Sequence, residues 1–155
     1  MGRTAHATVF YGYCWHDEDD DGGVTEMFSE ESWEAVLARK RGHVSPYDDY
    51  PSSTDYDLAR EWRAAHRSEI DAWHAATEAM SKVYAVLLDS HGFGCVAPHL
   101  LAFGSERNAE WSEGCELTEL TVDPAWRVAL DGWLAEFGIE PPQSEPRWWL
   151  VASYG

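Results

Sequence analysis

The run HDEDDDGGVTE, residues 16–26, comes nearer than any other stretch to a cation site by residue type and spacing. Counted from Asp17, carboxylates fall on alternate residues, Asp17, Asp19 and Asp21, followed by Gly22 and then Val24. These match positions 1, 3, 5, 6 and 8 of an EF-hand loop, where alternate residues aim hard oxygens at one calcium and glycine permits the sharp bend. The second half departs from that pattern. Position 12 needs a bidentate Glu and holds Phe28, and the segment entering the loop reads as a strand rather than a helix. We therefore expect a solvated acidic turn, with a weak calcium site on Asp17, Asp19 and Asp21, or a partner-facing patch, as the alternatives.

A second set of candidates is His91, Cys95 and His99, spaced H-x3-C-x3-H, with Cys14-Trp15-His16 elsewhere. Zinc takes such ligands, but the close CxxC or HxH pairs that mark a zinc site are absent, so no zinc is expected. A metal-dependent hydrolase using His91, His99 and nearby acids is the enzymatic alternative. Cys95 beside His91 would make a nucleophile and base without a third group to orient them. No Walker loop, GxGxxG, GxSxG or HExxH occurs. Glu69, Asp71 and His74 fit the mixed-charge face of a helix as well as a site. A non-enzymatic binding protein is the leading expectation.

Charge points to the kind of partner. The chain carries 28 acids against 11 Lys and Arg, a net charge of −17. That opposes direct nucleic-acid binding and docking on an anionic membrane, and favours a partner with a basic groove. Between Thr4 and Ala38 there are acids but no Lys or Arg: Asp17, Glu18, Asp19, Asp20 and Asp21, then Glu26, Glu30, Glu31 and Glu34. Asp48, Asp49, Asp55 and Asp57 continue the series. A second band runs from Glu106 through Glu110, Glu113, Glu116 and Glu119 to Asp123. Carboxylates held along a surface can imitate phosphates and occupy a nucleic-acid channel, and exposed rings such as Tyr47, Tyr50 or Trp111 can anchor the contact. The expected partner-binding residues are Asp17, Asp19, Asp20, Asp21, Glu26, Glu30, Glu31, Glu34, Asp48, Asp49, Trp111 and Glu113, against the simpler expectation that each acid only meets water.

The elements that must position these residues follow from periodicity and punctuation. At 155 residues one domain is expected. No apolar run approaches the ~18 residues of a membrane span, and MGRTAHATVF lacks a signal peptide's apolar core. Three cysteines do not close a disulfide framework, so a reduced, cytoplasmic protein is expected. Nine Arg against two Lys, one Asn and two Ile suggest a GC-rich genome. The oligomeric state is not legible.

Residues 7–15 read as an interior strand, apolar on both faces. Residues 29–41 read as a helix capped by Ser29, and 43–53 as a loop. Residues 54–82 read as a long helix, without a Gly or Pro to place a break. Residues 83–89 and 98–104 read as a hairpin, and 116–122 as a weaker strand. Residues 124–137 read as a helix with Asp123 as N-cap, Pro124 first and Gly138 after its end. Residues 147–154 read as a final strand. The order β-α-α-β-β-β-α-β predicts an α+β fold with a mainly antiparallel sheet packed by about three helices.

The stretches SHGFGCVAPHLLAFGS (90–105) and WWLVASYG (148–155) resemble pieces of uncharacterised phage and prophage proteins, over about a quarter of the chain. Those proteins carry a strand, a His-Gly turn, a Pro and an apolar strand ending in a small residue. The resemblance implies a context. Small acidic phage proteins often bind host proteins, among them inhibitors of CRISPR and restriction systems.

Overall fold

The structure is a computed structural model that describes residues 5–15, 23–51, 56–89, 98–110 and 120–154. Its contacts group into two compact units, a sheet unit (Met1–Ser29 with Tyr84–Gly155) and a helical unit (Glu30–Val83). The fold is α+β and the sheet antiparallel, as the element order predicts.

The sheet unit is built around β1, Ala5–Cys14. Every residue from Thr8 to Trp15 is buried, which explains the apolar character of both its faces. On one side β1 pairs along its length with β5, Arg147–Tyr154, from Ala5↔Tyr154 to Gly12↔Arg147. On the other side it pairs first with β4, Arg107–Glu110, and then with β3, His99–Ala102. β3 in turn pairs with β2, Val86–Asp89.

β3 and β4 form one interrupted edge against β1. Gly12 opposes Leu101 and Val9 opposes Arg107, so Phe10 and Tyr11 span what residues 102–106 cover on the other side. The bulge is closed by Ser105, which is fully buried. Its Oγ accepts from the Tyr11 N–H at 3.1 Å and donates to the Tyr11 carbonyl at 3.4 Å, standing in for the absent ladder residue. Beside it, Gly12 is required by close approach: a Cβ there would overlap the Leu100 carbonyl oxygen. Where the β5 ladder has ended, the Gln143 amide donates to Cys14 O at 2.6 Å and accepts from Cys14 N at 3.2 Å.

Helix α5, Pro124–Phe137, packs on the sheet through Leu130, Trp133 and Leu134, all buried. Asp123 caps it by accepting from Ala125 N, and Gly138 ends it in the left-handed conformation, as the sequence predicts. Tyr13 fixes its position: the buried phenol donates to Asp131 at 2.8 Å. Burial, and then that hydrogen bond, push the Tyr13 hydroxyl well above its ordinary pKa. A short helix α1, Val24–Met27, lies at this end of the unit, followed by Phe28, whose ring contacts Trp133 and Phe137. The opposite sheet face gathers Phe10, Leu101 and Val151, with Leu87 and Trp149 against them.

The helical unit holds α2 (Trp33–Lys40), a 3₁₀ turn at Pro46–Asp49, α3 (Tyr56–Ala65) and most of α4 (Arg67–Tyr84). Trp33 and Leu37 of α2 and Trp73, Ala76 and Met80 of α4 are buried, one stripe on each helix.

Several boundaries differ from the sequence reading. The N-cap of α2 is Ser32, which accepts from Ala35 N, whereas Ser29 donates to Glu26 O. The long helix divides at His66, whose ring turns back on its own chain. Helix α4 runs on to Tyr84, whose hydroxyl donates to Glu136, so β2 starts at Val86 rather than 83. Between them Ala85 takes a positive φ of 47°. The strand expected at 116–122 is irregular over its described residues, 120–122, and β4 appears at Arg107–Glu110 instead. The sequence RNAE has poor strand propensity, and its pairing with β1 overrides it.

Candidate functional site

The expected partner-binding acids divide by location. Asp17, Asp19, Asp20, Asp21, Trp111 and Glu113 lie outside the described residues, and with them the acidic stretch weighed as a calcium site; His91 and Cys95 also lie outside. Glu26 is exposed on α1 in the sheet unit. Glu30, Glu31, Glu34, Asp48 and Asp49 all belong to the helical unit.

Within that unit two of the acids have a common partner. Arg39 donates through Nε and Nη2 to Glu31, at 2.9 and 2.8 Å, and through Nη1 to Asp48 at 2.8 Å. Its guanidinium lies 5.6 Å over the Trp73 ring. These hydrogen bonds raise the Arg39 pKa and hold the Asp48 carboxyl below its ordinary value. Glu31 and Asp48 therefore spend charge inside the protein, whereas Glu30, Glu34 and Asp49 make no ion pair with a described residue.

Beside these acids stands a connected set of rings. The 3₁₀ turn, capped by the buried Ser45, presents Tyr47, which is 41% exposed. The Tyr47 ring lies 6.2 Å from Trp62 of α3, 6.4 Å from Tyr50 and 6.1 Å from His74 of α4. Its hydroxyl is 3.1 Å from His74 Nε2. Tyr50 meets Trp62 edge to face at 5.0 Å, and His66 stacks on Trp62 at 4.4 Å. The His66 Nδ1 lies 2.9 Å from the Trp62 carbonyl; a carbonyl only accepts, so Nδ1 carries the proton. Arg63 donates to the Tyr50 hydroxyl at 3.2 Å with its guanidinium 5.7 Å over that ring.

An open crevice of about 300 Å³ adjoins His74, lined by Ser32 and Glu34 of α2 and by His74, Thr77, Glu78 and Ser81 of α4. Glu78 is held by Lys82 at 2.7 Å, which lowers its pKa. Thr77 and Ser81 donate back to helix carbonyls. The surface thus joins a cluster of rings to the carboxylates of Glu34, Asp48 and Asp49, with the Arg63 guanidinium over Tyr50.

Tyr47 was legible as an exposed ring among acids; Tyr50, expected to be exposed as well, is half-buried beside Trp62. Trp62, His66 and His74 were not singled out with them, although the i, i+4 spacing of Trp62 and His66 is a local signal for a ring pair.

The candidate metal ligand His99 sits in β3, buried, its ring edge-on to Phe10 at 5.5 Å. It opposes Cys14 on β1 and Asp89 on β2 in register. The Cys14 thiol donates to the Trp15 carbonyl at 3.5 Å. Among the described residues no group of three or more His, Cys, Asp or Glu could hold a metal, and no helix is long and apolar enough to cross a membrane. Comparison with family models, curated proteins and solved structures finds no match to the chain.

Proposed function

We propose that this protein is a non-enzymatic binding protein of the cytoplasm whose acidic surface engages a basic, nucleic-acid-binding protein. The observation that carries this is the helical unit's surface, where Glu30, Glu34 and Asp49 make no ion pair with a described residue, Asp49 shares the turn of the exposed Tyr47, and Glu34 lines the crevice beside His74. Acids without a local counter-charge create a field that steers a basic partner, and rings supply the desolvated contact area that acids cannot. The net charge of −17 opposes a direct role on nucleic acid. The resemblance to phage proteins supports an anti-defence role, in which the protein occupies the nucleic-acid channel of a host CRISPR or restriction component.

Pull-down from a bacterial host lysate at low and high salt tests this. We expect a basic, nucleic-acid-binding protein that dissociates as salt rises and that added nucleic acid displaces. Absence of any salt-dissociable partner, or a partner unaffected by competing nucleic acid, would sink the reading.

A further inference from the structure

We propose that the exposed ring of Tyr47, with Trp62 beside it, is the seat for an arginine side chain in a basic segment of the partner protein. This deepens the function proposed above and rests on it.

The helical unit already holds guanidinium groups in this way. Arg39 lies over Trp73 and forks onto Glu31 and Asp48. Arg63 lies over Tyr50 and donates to its hydroxyl. In both, a ring face meets the flat cation and an oxygen takes its N–H groups. Tyr47 reproduces those elements at the surface. Its ring is 41% exposed, Trp62 and Tyr50 flank it, and Asp49 in the same turn makes no ion pair with a described residue. A guanidinium arriving at Tyr47 meets an exposed ring, with the exposed Asp49 carboxylate two residues along the same turn. A lysine ammonium has no planar face to stack and no fork to match a carboxylate, so the surface favours arginine. Nucleobases also stack on such rings, but their phosphates meet a protein of net charge −17.

The test titrates the full chain calorimetrically with a blocked arginine-rich peptide and with its lysine and citrulline counterparts. The variants are Trp62→Ala, Tyr47→Ala and Tyr47→Phe, with circular dichroism confirming that each is folded. The arginine peptide should bind several-fold tighter than the lysine peptide, and the citrulline peptide should not bind. Each alanine variant should weaken the arginine peptide by about 2–30-fold and erase the preference over lysine. Tyr47→Phe, which keeps the ring but loses the hydroxyl beside His74, should retain both. Tyr47 is exposed, so its alanine variant decides the matter should Trp62→Ala fail to fold. Equal affinity for arginine and lysine, unchanged by removal of either ring, would overturn the seat. So would ring-dependent binding of an oligosaccharide or single-stranded oligonucleotide with unaltered peptide affinity. If the ring variants still capture the same salt-dissociable partner at full yield, the arginine seat fails while the acidic-surface function stands; if the wild type captures none, that function fails.

Discussion

Ser105 completes a ladder that the backbone leaves open. Its hydroxyl serves both the N–H and the carbonyl of Tyr11, and no solvent reaches it. Ser105→Ala should therefore destabilise the protein by about 1–3 kcal/mol, the cost of buried peptide groups without partners, read from chemical denaturation. An unchanged midpoint would show that the bulge closes by another route. Asp48 gives a pH-dependent counterpart. Arg39 depresses its folded pKa, so its stabilisation is present above the ordinary aspartate range and is lost as pH falls from that range through the lower folded value. Asp48→Asn should thus lower the melting temperature at pH 7, and the two melting curves should converge only as pH falls below the ordinary aspartate range and through the depressed folded value. A gap that stays constant with pH would contradict the pairing.

At the scale of elements, much was legible where local chemistry and tertiary packing agree. Helix α5 has Asp123, Pro124 and Gly138 where caps demand them and an apolar face that the sheet buries. The strands β1 and β5 are apolar on both sides and pair along their length. The misses have distinct causes. The division at His66 is set by a side chain that bonds the Trp62 carbonyl and stacks on the Trp62 ring, with no Gly or Pro to announce it. β4 is a strand because β1 offers it a ladder. Ala85 ends α4 in the left-handed region, at a position that glycine usually takes. It is exposed, so Ala85→Gly loses no packing. The relieved strain of about 1–2 kcal/mol exceeds glycine's entropic cost of about 0.5–1 kcal/mol. Ala85→Gly should therefore raise the melting temperature by about 1–4 °C. A lower melting temperature would mean that the connection is not strained.

At the scale of the molecule, charge dominates. A chain with 28 acids and 11 Lys and Arg repels itself when compact, and the exposed ion pairs offset little of this. Adding salt from about 10 to 200 mM shortens the Debye length from about 30 Å to under 10 Å and should raise the melting temperature. A fall would show that attractive pairs outweigh the repulsion. The same screening should weaken partner binding, so salt separates the two effects by sign.

The sequence by itself determined the α+β class, the antiparallel sheet, the capped α5 and the excess of acid, because periodicity, caps and formal charge are local properties of the chain. It also marked Tyr47 and Tyr50 as rings among acids. Only the tertiary structure decided which acids are neutralised and which rings meet. Arg39 reaches Glu31 and Asp48, eight and nine residues away, and Tyr47 meets His74 across 27 residues. Spacing along a chain does not encode such distances once loops and helix directions intervene. The register of β3 likewise buries His99 edge-on to Phe10, a placement that its spacing to Cys95 and His91 does not encode.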